Sequence, residues 1–372
     1  MERTRVDYLD MVKGIGIILV VLGHSTYVSE NVLTWLASFH MPLFFILSGI
    51  LFAYKGSDGE PFAQYAKKRF AGMMIPYFWF SLIYIGVDFY YLYAHPEIMN
   101  LTFIWNAALQ ALSLFGISVL WFLPTIFLGE LGFYGLVKRC KWWMLGVIAC
   151  AFAFVPDLGM KALSATLKME ENWFNVWLGD LIMALLRVFP AITFLIIGYG
   201  FYCVLMGRSL KPVYEILLGI GCMVLNAAVA FANGRVDMHF LVFNNVGLYY
   251  LGACSAAVGL ILICRNLKPL WLLCFLGSNS LIVMLTHLDC QIMSNAIRFA
   301  VGMNQFIPRA KDLMLRFNLY AALLVGEIIC IVVINRYLFF LIGRKKPVKM
   351  QAPAFLTKQL KKFRTRNWRR IK

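Results

Sequence analysis

The chain has 372 residues, of which 61% are hydrophobic and 14% charged, yet its formal net charge is +17 from 35 Lys and Arg against 18 Asp and Glu. So few charges cannot cover a water-soluble surface, and so apolar a chain does not stay unfolded, which excludes a typical soluble enzyme, a disordered chain and a secreted disulfide scaffold. The positive excess alone would suggest nucleic acid, so its location along the chain decides its meaning.

The N-terminal stretch MERTRVDYLD carries acids and runs into an apolar segment without an A-x-A-like cleavage site, so no cleavable signal peptide is expected. A membrane span needs about 20 apolar residues. On that template ten are predicted: 12–29, 36–55, 73–93, 114–137, 142–157, 181–206, 213–232, 240–264, 270–288 and 319–342. The amphipathic stretch 101–112 is expected at the interface, 158–180 as a loop with a short helix, and 289–318 as a long polar connection. The expected fold class is an all-α integral membrane protein, with one membrane domain over 1–343 and a basic tail over 344–372. That tail adds twelve positive charges and no acid, together with Phe355, Phe363 and Trp368. It reads as an amphipathic helix on an anionic inner leaflet.

With the N-terminus inside, 27 Lys and Arg fall on the cytoplasmic side and seven on the other, while Arg187 alone lies within a span. Both termini are therefore expected in the cytoplasm, and no nucleic-acid partner is needed to explain the charge. The nine cysteines include no CxxC and sit mostly in apolar runs. They read as packing residues, and no metal site is expected.

Ionisable groups inside spans are costly and usually functional. In the first span Lys13 and His24 are eleven residues apart, just past three full turns, so they share a face some 16 Å apart along the axis. Asp10 precedes Lys13 by three residues and is placed to pair with it. His24 suits proton transfer near pH 7; it also reads as a histidine that simply bonds a neighbouring helix. Phe39-His40-Met41-Pro42 opens the second span, with His40 at the outer interface and Ser48-Gly49 deeper, leaving a small gap or a polar wall. Lys67, Lys68 and Arg69 precede the third span, where they suit phosphate binding or reflect the positive-inside signal and anionic lipid. The fourth span contains Trp121-Phe122-Leu123 and Glu130. Arg187 in the sixth is its obvious partner, either as a structural pair or in substrate binding. His287 ends the ninth span, and Asp88, Asp289 and Glu327 read as rim residues.

Together these residues resemble the membrane acyltransferase family 3. Lys13, a ten-residue gap and His24 match its Arg/Lys-x10-His signature, and Phe39 to Gly49 resembles its second-helix motif. The stretches Arg69 to Tyr77, Trp121 to Leu123 and Gly277 to His287 have counterparts too, particularly in the fucose 4-O-acetylase-like branch. Where the family often has a second Arg three residues after the first, this chain has Gly72. The resemblance implies O-acylation of a carbohydrate, with acetyl-CoA as cosubstrate and no bound cofactor. His24 would then be the general base, Asp10 would hold Lys13, and Lys13, Lys67, Lys68 and Arg69 would bind the donor. His40, Ser48, Trp121, Glu130, Arg187 and His287 would shape the acceptor pocket. The expected partners are acyl-CoA, a carbohydrate or lipid-linked glycan and the bilayer; the expected setting is a bacterial plasma membrane, and the chain is expected to be the single-domain form. The rival reading is a transporter or flippase of a lipid-linked sugar.

Overall fold

A computed structural model describes residues 6–25, 27–166, 173–205, 210–304 and 311–348. Among them the chain is α-helical, and the only extended pairing is one bridge between Asp237 and Val242. The helices are α1 (Asp7–Gly23), α2 (Glu30–Ala37), α3 (His40–Lys55), α4 (Phe62–Ala94), α5 (Leu101–Leu112), α6 (Phe122–Arg139), α7 (Trp142–Thr166) and α8 (Trp173–Leu186). They continue as α9 (Val188–Leu205), α10 (Pro212–Asn233), α11 (Val246–Arg265), α12 (Trp271–Ser278), α13 (Ser280–Thr286), α14 (Ile292–Asn304) and α15 (Lys311–Arg336).

Among the described residues, eight stretches are long and apolar enough to cross a membrane: Glu30–Lys55, Phe62–Ala94, Ser118–Arg139, Trp142–Leu163, Trp173–Val204, Pro212–Asn233, Val246–Arg265 and Met314–Arg336. The other two predicted spans are shorter as helices. α1 has 17 residues and stops at Gly23, and the ninth span is broken at Asn279 into helices of 8 and 7 residues. Both interruptions fall beside the cavities described below, where irregular backbone can be satisfied by protein. The chain is inside-out in the manner of a membrane protein. Phe78, Trp79 and Leu82 on α4 and Leu217, Ile220 and Val224 on α10 are exposed, while Asp10, Glu130, Arg187 and His287 are buried.

Two predicted connections change. α7 runs through Pro156 to Thr166 and α8 starts at Trp173, so most of 158–180 is helix. The pair Asp157–Lys161, 2.8 Å apart at i,i+4, supports the added turns. The polar connection 289–318 contains α14 and the start of α15. The basic tail lies outside the described residues beyond 348.

Close helix packing sets the frame of the site. A Cβ on Gly14 would strike the Leu273 backbone, and one on Gly277 the Asp10 carbonyl, so α1 and α12 touch backbone to backbone. Gly49 against Leu195 and Gly198 against Ile46 join α3 to α9 in the same way. α3 starts with Pro42 in its first turn and ends at Gly56, whose φ of 61° closes the helix in the left-handed region. The polar tie of Asn226 to Ser38, at 3.1 Å, and to Trp35, at 2.7 Å, fixes α2 against α10.

Candidate active site

One face of α1 runs beside three cavities in succession. Asp10 and Lys13 line an inner cavity of about 530 Å³, and Ile17, Val20 and His24 a central one of about 200 Å³. Gly23 and His24 open on an outer cavity of about 320 Å³. The steps of three and four residues are the helical period, and Lys13 and His24 share a face as their spacing predicts. Neighbouring cavities share walls. Phe44, Phe122, Ser280 and Leu281 line both inner and central cavities; His24, Met41, Val119 and Trp121 line both central and outer ones. His24 therefore stands at a boundary between two chambers.

At the inner end, Lys13 lies 3.6 Å from Asp10. Facing them is a stripe of α3 formed by Phe44, Leu47, Ser48, Leu51 and Lys55. Lys55 is absent from the predicted site, although the i, i+3, i+7 register of Ser48, Leu51 and Lys55 signals it. The three cations 67–69 do not line this cavity. Lys67 is exposed, Lys68 lies 3.3 Å from Glu60, and Arg69 turns inward to Glu130 at 2.7 Å. Ser48 donates a hydrogen bond to the other Glu130 oxygen. Glu130 thus pairs with Arg69 and not with Arg187. The reason is depth: Arg187 lies beside Trp121, nine residues and about 13 Å along α6 from Glu130. Ser48 and Glu130 accordingly belong to the inner half of the site. Gly72 has open space around it and lines the central cavity.

In the middle, the rings of His24 and His287 lie 5.2 Å apart. His287 is wholly buried. Its Nδ1 donates to the carbonyls of Val283, at 2.9 Å, and Met284, at 3.0 Å, which leaves Nε2 as the acceptor nitrogen of the neutral ring. That Nε2 has no partner among the described residues. The adjacent Thr286 donates to Glu327 at 2.7 Å. Glu327 is 3% exposed, a buried group and not the rim residue expected.

The outer end is built from loops. His40 donates from Nδ1 to the Leu36 carbonyl at 2.6 Å. Trp121 stacks on His239 with centroids 5.4 Å apart and planes 10° apart, and Phe115 packs on the same histidine at 4.9 Å. Arg187 is 0% exposed. It donates to the Phe115 carbonyl at 2.8 Å, and its guanidinium lies 4.2 Å from the Phe115 ring and 5.5 Å from that of Trp121. The segment wrapped around it is strained, with φ of 60° at Leu114, 86° at Gly116 and 50° at Ser118. The roof is the turn between α10 and α11, where Arg235, Asp237 and His239 line the cavity. Burial, reinforced by Arg187 and then His24, pushes His239 down to about 3. Burial raises Asp289 to about 6, and Ser118 hydrogen-bonds to it. The roof residues were missed because they sit in a short loop between spans. Among the described residues, no three His, Cys, Asp or Glu are grouped to hold a metal ion.

The sequence profile of the Acyltransferase domain of acyltransferase family 3 matches residues 6–336. No curated protein and no solved structure matches the chain. The profile covers nearly all of α1 to α15, and the chain belongs to this family of membrane acyltransferases.

Proposed function

We propose that the protein transfers an acetyl group from cytoplasmic acetyl-CoA to a hydroxyl of a cell-envelope carbohydrate in a bacterial plasma membrane, with His24 as general base. One observation carries the reading. The histidine of the family's signature stands where the central and outer cavities meet, on the same helix face as a lysine in the inner cavity. The separation of about 16 Å suits a donor with phosphates at one end of a long pantetheine arm and a thioester at the other.

Lys13 and Lys55 hold the phosphates by charge-assisted hydrogen bonds, and Asp10 keeps Lys13 in place. Lys67, Lys68 and Arg69 add to the positive field that draws the donor to this face. The arm passes through the apolar central cavity. The acceptor enters from outside, beside His40 and Trp121, with Arg187 supporting Trp121 from behind and His287 bracing the His24 ring. His24 takes the acceptor's hydroxyl proton as the oxygen attacks the thioester carbon. The C–O bond forms, the C–S bond breaks, and the leaving thiolate takes the proton from the imidazolium, so no proton is gained or lost. The same balance holds if an acyl-enzyme intervenes.

Purified protein in nanodiscs, given acetyl-CoA and envelope glycan from cells lacking it, should release free CoA and acetylate the glycan. His24→Ala should slow both by about 10²–10⁴-fold with acetyl-CoA binding retained. Full transfer by that variant removes His24 from the role, and glycan movement without CoA release points to a transporter.

A further inference from the structure

Most of the polar groups lining the outer cavity are hydrogen-bond acceptors or already have a partner. Asp237 is exposed to it, and its Oδ1 is fixed in direction by accepting from the His239 and Phe240 amides, at 2.7 and 3.1 Å. His40 has its Nδ1 proton committed to the Leu36 carbonyl, so its neutral ring offers a lone pair at Nε2. The Ser118 hydroxyl is engaged with Asp289. The cation on the wall, Arg235, is 2.8 Å from Glu30, which offsets its charge. His239 is uncharged at neutral pH, and Arg187 does not line the cavity. The chamber thus presents hydrogen-bond acceptors and, in Asp237, a carboxylate that faces the cavity while Arg187, the buried cation that attracts it, lies behind the wall.

We propose that this cavity selects an uncharged polyhydroxyl ring, a neutral sugar unit, over an acidic sugar, and that Asp237 sets the selection. The inference rests on the acyl-transfer reading and names the acceptor class for it. A sugar hydroxyl donates to Asp237 and His40. A sugar carboxylate donates nothing, loses its water on entering, and meets Asp237 as a like charge. The cavity, at about 320 Å³, is in the range of small-molecule sites.

Methyl glucoside and methyl glucuronide make a matched pair, differing in one hydroxymethyl against one carboxylate. The full-length protein in nanodiscs is incubated with each. Protection of His24 from diethyl pyrocarbonate is read by mass spectrometry, and acetyl transfer from labelled acetyl-CoA is read alongside. The glucoside should protect at a concentration roughly tenfold lower than the glucuronide. Asp237→Asn should bring the two within about threefold, leaving the acetyl-CoA KM unchanged, while Asp237→Glu should keep the preference. Equal protection, a preference for the glucuronide, protection by neither, or an Asn variant with the full preference overturns the proposal. Acetyl-CoA binding measured in the same samples separates the two readings. If it fails, the acyl-transfer reading falls while the protection ratio still reports on the cavity.

Discussion

The two ends of the passage along α1 are held together differently. At the inner end, cations on helices pair with opposite charges: Lys13 with Asp10, Lys68 with Glu60, and Arg69 with Glu130. At the outer end the one pair described, Arg235 with Glu30, is on the exposed surface, while a fully buried guanidinium has no carboxylate within ion-pair distance among the described residues and is held by a carbonyl and two rings. The backbone around that end visits positive φ at Leu114, Ser118, Leu241, Asn244 and Gln291. On the proposed roles, the end for a fixed, charged donor would be made from rigid, salt-bridged helices, and the end for a varied acceptor from loops, which change with less disturbance to the rest.

The sharpest way to break this contrast is to remove one partner at each end. Glu130→Ala leaves the half-buried Arg69 without its counter-charge and should cost about 3 kcal/mol, read as thermal unfolding in detergent. Arg187→Met breaks no contact ion pair and should cost about 2 kcal/mol, from the lost carbonyl bond and ring contacts. Equal losses would erase the distinction. Next in size is the donor effect. Lys13→Ala and Lys55→Ala should each raise the acetyl-CoA KM about tenfold and leave the acceptor KM alone, and the reverse pattern would exchange the roles of the ends. The smallest effect is on pH. Folded His239 takes a proton only near 3, whereas in the unfolded chain it does so near 6.5. As pH falls from 6.5, the unfolded chain binds a proton that the folded chain refuses, so stability falls with pH. His239→Gln should recover about 1–2 kcal/mol at pH 5, seen as a flatter dependence of Tm on pH.

The inner end was largely legible in the sequence because helical periodicity fixes it. Counting from Lys13 to His24 gave their common face, and Asp10 pairs with Lys13 as its spacing required. The same count applied to Ser48 finds Lys55. Periodicity says nothing about which helices are neighbours, and that is why Glu130 was matched with Arg187 when α4 brings Arg69 to it. The outer end was nearly illegible. Phe115 and Arg187, or Trp121 and His239, are far apart in the chain and meet only through tertiary packing. The expected fifth span ends at 157, after Pro156 and Asp157, and 158 onward reads as loop, yet α7 continues past them and Gly159 to Thr166. α14 was passed over because its polar composition masked its period.

The backbone contacts at Gly14, Gly277, Gly49 and Gly198 have a consequence for leakage. With α1 seated on α12 and α3 on α9, the two helices that carry the site cannot slide aside to admit one substrate and then close behind it. Yet chambers that follow one another from Lys13 to Asp237 are a potential short circuit for protons across an energised membrane. The seal must therefore be the middle chamber itself. Its walls of Ile17, Val20, Phe44, Phe122, Leu281 and Met284 offer water almost nothing to bond, and an apolar constriction of this kind blocks ions by staying dry. On the proposed acyl-transfer reading, the arm of the donor would displace that dryness, while a hydrated proton would not.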